Sequence, residues 1–155
     1  ADIITDTLKA VEMYSDDALA LMIGTGAVES NYSYLKQVKG PARSFWQVEP
    51  ATGLDNIENY LKFRPESWWK ICMSCHMENH PMDSWSKERM ENLLVGNIQF
   101  AICMARLKYW RVPKPLPGKD DIEGQAEYWL KHYNAGGKGT VKKYQDAWVA
   151  YLDKG

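Results

Sequence analysis

The amino-acid sequence predicts a single, mainly α domain built on a buried central helix, with at most a short β-hairpin. Three observations support this prediction. The length of 155 residues suits one hydrophobic core. Two stretches, 16–30 and 95–110, are apolar on almost every side, which is typical of buried helices. The sequence also shows no convincing multi-strand alternation of polar and apolar residues.

The first helix is predicted over residues 3–14, where five apolar residues lie roughly on one face: Ile3, Ile4, Leu8, Val11 and Met13. Ser15 and the two aspartates after it are typical of an N-cap and an acidic first turn. The central helix is therefore expected to begin directly after Ser15. Gly24 and Gly26 lower its helix propensity but would let another backbone approach closely.

The central helix is predicted to end at a carboxylate, Glu29. The negative end of the helix dipole and a low-dielectric wall would both disfavour the charged form. Both effects would raise the pKa of Glu29, as a general acid requires. The alternative interpretation of Glu29 is a solvated residue at a helix end.

A loop marked by Gly40 and Pro41 follows the central helix, and Ser44 to Val48 are predicted to form a short strand or extended edge. The string from Phe45 to Glu49 combines aromatic rings, an amide and an acid. Together with Glu29 these groups suggest carbohydrate chemistry. The alternative is a turn and a short strand with ordinary surface polar groups.

Pro50 permits a third helix, which Pro65 is expected to close. Residues 66–85, rich in Trp, Met, Cys and His, are predicted to be irregular. Ser84 or Ser86 is expected to cap a helix that runs through Leu94.

The second buried helix is predicted over 95–110, and two amphipathic helices over 121–133 and 140–152. Thr140 is expected to cap the last helix. A proline-rich connector, 112–118, would separate the buried helix from the amphipathic pair.

Composition excludes several classes of function. A formal net charge of -1 provides no electrostatic footprint for nucleic acid or an anionic membrane. No apolar run approaches the roughly 18 residues of a membrane span, and the N-terminal stretch does not resemble a signal peptide. Three cysteines argue against a complete disulfide framework and favour a reducing compartment at synthesis. Seven tryptophans and nine tyrosines weakly support a carbohydrate site.

Four short motifs, taken together, resemble those of lytic transglycosylases of the lysozyme-like superfamily. They occur in the expected order along the chain: Glu29-Ser30, Trp46-Gln47-Val48 with Pro50-Ala51-Thr52, Gly96-Asn97-Ile98 with Leu107, and Tyr133-Asn134-Ala135-Gly136. Two details depart from the family pattern, because Trp46 stands where Met is usual and Ser44-Phe45 replaces Gly-Leu. With Gly40-Pro41-Ala42, this form looks more like lysozyme-like proteins of tailed bacteriophages.

The resemblance implies cleavage of peptidoglycan glycan strands, with Glu29 as acid and then as base, and a 1,6-anhydro product. It implies that Tyr133 orients the acid or the sugar and that five residues form or support the substrate site: Ser30, Trp46, Gln47, Asn97 and Asn134. Ser30 would support the loop, whereas Gln47 and Asn97 would bind acetamido or hydroxyl groups. The alternatives are an amide at Gln47 that satisfies only local backbone and a structural Asn97.

The phage-like form of the motif also implies where the protein acts and with what. It implies a virion-associated or lysis enzyme, with other virion proteins as partners besides the glycan strands. Such an enzyme would be found in the virion, or in the host cytoplasm before its release to the cell wall.

Two alternatives to a transglycosylase stay open at this point. A hydrolase would need a base to position water, and Glu49 is the best candidate because it would point the same way as Gln47 on an extended segment. Asp55 is a weaker candidate. A virion structural or glycan-binding module with a degraded active site belongs to a different class of protein.

The pattern Cys72-Met73-Ser74-Cys75-His76 is a competing signal. It matches the CxxCH pattern of c-type haem attachment, and with His80 and Cys103 it would supply enough ligands for zinc. The favoured interpretation is unmetallated cysteines, with Cys103 packed in the core as a small apolar residue. We therefore expect neither a metal nor a cofactor.

Overall fold

The computed structural model of the chain describes residues 1–78 and 85–154. These residues form eight α-helices and a 3₁₀ helix at Leu61–Phe63: α1 Asp2–Ala10, α2 Asp16–Ser30, α3 Pro50–Asn59, α4 Pro65–Ser74, α5 Lys87–Gly96, α6 Ile98–Trp110, α7 Ile122–His132 and α8 Val141–Asp153. Within these ranges β structure is limited to isolated bridges of Arg43 with Lys36 and Val48. The prediction of a mainly α single domain is confirmed. No helix in the described part is long and apolar enough to cross a membrane.

Two buried helices, α2 and α6, lie at the centre of the fold. Helices α7 and α8 pack on α2, whereas α1, α3, α4 and α5 pack around α6. A buried hydrogen bond of 2.8 Å between Thr25 Oγ1 and Tyr109 Oη joins the two central helices. One hydrophobic core runs through all eight helices, so the C-terminal end of α2 is walled by side chains from both groups.

The glycines of α2 allow close packing of aromatic side chains, whereas a second backbone was expected to approach them. A Cβ atom at Gly24 would lie 2.1 Å from Tyr144 Oη, and one at Gly26 would lie 2.3 Å from the ring of Tyr32. Aromatic side chains, and not a second backbone, therefore occupy the space. The predicted cap is confirmed, because Ser15 Oγ accepts a hydrogen bond from the first turn of α2.

Two predictions about the middle of the chain are wrong. Pro65 begins α4 instead of closing the preceding helix, since the first helical position needs no N–H donor. Much of the supposedly irregular stretch 66–85 is helical, and its buried residues follow helical spacing: Trp68, Ile71 and Cys72. The run of aromatic and sulfur-containing residues hides this period.

The other helix starts follow their capping residues. Ser86 caps α5 and Thr140 caps α8, each accepting a hydrogen bond from the third residue after it. Ser84, the alternative cap of α5, lies outside the described residues. Helix α1 ends at Ala10, four residues earlier than predicted, and Glu12 in the turn after it has a positive φ.

Candidate active site

Glu29 lies in the last turn of α2, as predicted, and its side chain is half-buried. The chain leaves the helix through Asn31, whose left-handed conformation (φ 52°) is typical of a helix C-terminus. Tyr34 Oη then donates a hydrogen bond of 2.8 Å to the carbonyl oxygen of Glu29. The backbone of the acid is thus fixed by the loop that follows it.

Two groups from the C-terminal end of α7 approach the Glu29 carboxyl. Asn134 Nδ2 lies 3.5 Å from Glu29 Oε2, at the long limit of a hydrogen bond. The buried indole N–H of Trp129 makes no hydrogen bond of acceptable geometry with the described residues, yet it lies near enough to Glu29 to lower the pKa of that carboxyl. This contact with Glu29 is polar but is not a hydrogen bond, because its geometry falls outside the hydrogen-bond limits.

The glycine-rich turn after α7 holds Asn134 and Trp129 in place. The amide N–H of Gly139 donates to Asn134 Oδ1 at 3.2 Å, which leaves Nδ2 directed to Glu29. A Cβ atom at Gly137 would lie 2.2 Å from Asn134 Oδ1, and one at Gly139 would lie 2.3 Å from the Trp129 ring. Only glycine fits this closely against the two side chains.

Burial raises the pKa of Glu29 above its ordinary value of 4.5, since the charged carboxylate is poorly solvated there. Three nearby side chains oppose this shift, because each favours the charged form of the carboxyl group. In decreasing order of effect they are Asn134, Trp129 and Lys108. The net direction is upward. Such a group keeps its proton at a higher pH than an exposed glutamate, which suits proton donation.

Lys108 is a residue of the site that the sequence interpretation missed. Its Nζ donates a 2.7 Å hydrogen bond to the carbonyl oxygen of Tyr133 and lies 4.4 Å from the centre of the Tyr133 ring. Burial lowers the pKa of Lys108, and attraction to Glu29 and Glu49 acts against that shift. The available signal was a lysine within an otherwise nearly apolar buried helix.

Tyr133 lies beside the acid but directs its hydroxyl elsewhere. Its Oη donates a buried hydrogen bond of 2.5 Å to the carbonyl oxygen of Trp46, and its ring stacks on Tyr109 at 5.0 Å. Burial, followed by the charge of Glu29, raises the pKa of Tyr133. Tyr133 therefore joins the loop after α2 to the end of α7, which supports an orienting role and not a proton-transfer role.

Two residues of the predicted substrate site, Trp46 and Ser30, are buried. Trp46 is 1% exposed and its indole N–H donates to the carbonyl oxygen of Met22 at 2.9 Å, so no ring face is open to a sugar. Ser30 is 2% exposed and donates to the carbonyl oxygen of Phe45 at 2.7 Å. Both side chains fasten the loop to α2, which is the supporting part of the role expected for Ser30.

Two predicted amides take part in local structure. Gln47 Nε2 donates to the carbonyl oxygen of Ser44 at 2.8 Å. Asn97 caps α6 through Oδ1, and its Nδ2 donates to the carbonyl oxygen of Cys75 at 2.9 Å. These bonds agree with the structural interpretation of both residues, and their substrate contacts stay predictions.

An open polar cleft of about 440 Å³ lies between α3 and α6, and Lys108 lies in its wall. The other lining residues are mostly polar or charged: Ala51, Thr52, Asp55, Asn56, Arg111 and Val112. Arg111 is paired with Asp55 at 2.8 Å. Glu49 is exposed at the N-terminus of α3, and its charge attracts that of Lys108.

The three cysteines are buried, and none of them is in a disulfide bond. The sulfurs of Cys75 and Cys103 lie 3.9 Å apart, and His76 is exposed. No three His, Cys, Asp or Glu side chains among the described residues could hold a metal ion. His80 lies outside those residues, so the alternative ligand set that includes it stays untested.

The raised pKa of Glu29 has a consequence for stability. The unfolded chain loses this proton near pH 4.5, whereas the folded chain keeps it to higher pH, so stability is lost as pH rises through that window. We expect Glu29→Gln to have a higher melting temperature than the wild type at pH 7 and a nearly equal one at pH 4. Thermal unfolding at both pH values tests this expectation. A difference of the same size at both would contradict it.

Comparisons with protein-family models, with curated proteins and with solved structures find no match to this chain.

Proposed function

We propose that the protein cleaves the β-1,4 bond between N-acetylmuramic acid and N-acetylglucosamine in peptidoglycan. Glu29 acts first as general acid and then as general base, and the product carries a 1,6-anhydromuramoyl end. The phage-like form of the central motif suggests a virion-associated or lysis enzyme.

One observation supports this proposal above the others: motifs distant in sequence converge on Glu29. Asn134 of the Tyr-Asn-Ala-Gly segment lies 3.5 Å from a carboxyl oxygen of Glu29, although the residues are 105 positions apart. Tyr133 of the same segment bonds to Trp46, 87 positions away, in the second motif. Three of the four motifs that carry the resemblance therefore meet around one half-buried acid. The fourth, at Asn97, is used as a helix cap.

The environment of Glu29 suits the two proton transfers. The carboxylic acid gives its proton to the glycosidic oxygen as the C1–O bond breaks, because an alkoxide is a poor leaving group. The C6 hydroxyl then forms a bond to C1 and returns its proton to Glu29. This sequence consumes no water and needs no second carboxylate.

The cleft between α3 and α6 is the proposed glycan-binding surface. Its volume lies within the range of about 300 to 1,000 Å³ of small-molecule sites. The hydroxyl group of Thr52 and the ammonium group of Lys108 lie in its wall, and such groups can bind sugar hydroxyl and acetamido groups. We propose that the scissile bond lies at the end of the cleft lined by Lys108, because the charge of that residue acts on Glu29.

Mass spectrometry of fragments released from purified peptidoglycan tests the proposal. We expect the wild type to release fragments lighter than hydrolytic products by about one water, as internal attack by the C6 hydroxyl requires. Reducing-end fragments would instead indicate a hydrolase. That outcome would make Glu49→Gln the next variant, because Glu49 is exposed near Lys108. Binding to peptidoglycan without release of fragments would overturn the proposal in favour of a glycan-binding or structural module.

A further inference from the structure

We propose that Lys108 is the electrostatic partner of Glu29, holding a positive charge beside the carboxylate that forms when Glu29 gives up its proton. This inference rests on the proposed function for its catalytic meaning, although the pairing of the two residues can be measured without it. Neither the motifs nor the resemblance assigns a role to Lys108.

The position of Lys108 is fixed by contacts with the residue next to Asn134. Its Nζ is bonded to the carbonyl oxygen of Tyr133 at 2.7 Å and lies 4.4 Å from the centre of that ring. The neighbouring Asn134 lies 3.5 Å from the Glu29 carboxyl. Tyr133 and Asn134 are consecutive residues at the end of α7. The ammonium group of Lys108 and the carboxyl group of Glu29 therefore lie against the same short segment of chain. The half-buried side chain has little freedom to leave it.

Groups from four parts of the fold surround this pair. Helix α2 contributes Glu29, α6 contributes Lys108 and Tyr109, and the start of α3 contributes Glu49. The end of α7 contributes side chains without a formal charge at neutral pH: Trp129, Tyr133 and Asn134. Asp55 and Arg111, which also line the cleft, neutralise each other in an ion pair. Among the residues that the structure describes, Lys108 is thus the cation whose charge acts on Glu29.

The proposed reaction makes this charge useful at one particular stage. When the Glu29 proton moves to the leaving oxygen, a carboxylate is left in a site that disfavours charge. A fixed cation lowers the free energy of that carboxylate without reorganisation, because it is already in place. The charge is then removed when the C6 hydroxyl returns a proton to Glu29. Lys108 itself transfers no proton and forms no covalent bond to the sugar.

Reciprocal titration of the two residues tests the pairing directly. Carboxyl and Nζ signals of labelled protein are followed by NMR against pH in the wild type, in Lys108→Met and in Glu29→Gln. We expect Lys108→Met to raise the pKa of Glu29 and Glu29→Gln to lower the pKa of Lys108, because each loses an opposite charge. Lys108→Arg keeps the charge and is the matched control. The pKa of Glu29 should be lower in Lys108→Arg than in Lys108→Met.

Gln is nearly isosteric with Glu, so the Glu29→Gln variant should fold. The pKa of Lys108 in that variant therefore still tests the pairing if Lys108→Met does not fold. Unchanged titration of Lys108 in Glu29→Gln would overturn the inference. So would an unchanged pKa of Glu29 in a folded Lys108→Met.

Kinetics then connect the pairing to the reaction. If the wild type releases anhydro fragments, Lys108→Met should lower kcat by about tenfold or more and move the alkaline limb of the pH profile upward. Lys108→Arg should keep both near wild type. Equal kcat and pH profile in wild type and Lys108→Met would overturn the catalytic role. If the wild type releases no fragments, the proposed function is wrong. The titrations test the pairing of Lys108 with Glu29 independently of that outcome.

Discussion

Replacing Glu29 by Gln is expected to lower peptidoglycan cleavage by about 10²- to 10⁴-fold, the usual contribution of general acid–base catalysis. Gln has nearly the size and shape of Glu but has no proton to give and cannot take one back. Both steps of the proposed reaction would therefore fail together. The rate of release of soluble fragments from purified peptidoglycan, measured at equal protein concentration, gives the ratio.

Two features make this variant a sharp test. The side chain is half-buried and its pKa is raised by burial, so the uncharged amide should fit at least as well as the carboxylate at neutral pH. Loss of activity could not then be attributed to unfolding. Glu49→Gln is the matched control, because Glu49 is exposed and the transglycosylase mechanism does not use it. Full activity of Glu29→Gln would contradict the assignment of the acid, whereas inactivity of both variants would indicate a hydrolase.

Replacing Trp46 by Ala is expected to destabilise the fold by about 3 to 5 kcal/mol, as for other buried aromatic residues truncated to Ala. Trp46 is 1% exposed, and its indole N–H bonds to the carbonyl oxygen of Met22 in the middle of α2. The substitution removes the ring from the core and also removes the indole hydrogen bond to that buried carbonyl. Denaturant unfolding, compared with the wild type at the same pH, measures the difference in free energy.

Trp69→Ala is the matched control for this effect. Trp69 is 51% exposed on α4, so its removal should change the free energy of unfolding by no more than about 0.5 kcal/mol. The hydrogen bond from Tyr133 reaches the backbone of Trp46 and not its ring, so the end of α7 keeps that partner in Trp46→Ala. If Trp46→Ala were as stable as Trp69→Ala, the packing of the loop against α2 would be contradicted.

Several features of the fold could be predicted from short-range patterns. Ser15, Ser86 and Thr140 cap helices because a side-chain oxygen satisfies backbone N–H groups two or three residues away. The placement of Glu29 at the end of α2 follows from one such cap and an apolar run. The direction of its pKa shift follows in turn, since a helix end against a core is poorly solvated. Helix α4 was missed because Pro65 is read as a stop and as a start equally well.

The role of each side chain in the site was decided by the tertiary structure. The same aromatic residue can face a sugar or the core, and the packing of the loop on α2 turned Trp46 inward. Lys108 bonds to the carbonyl oxygen of Tyr133 only because α6 and the end of α7 meet there. Local spacing fixes the period and the ends of a helix, whereas contacts such as Asn134 with Glu29 join residues 105 positions apart. The sequence alone thus determined most of the helices and the position of Glu29 at the end of α2, and the packing of the helices against one another determined the neighbours of that carboxyl group.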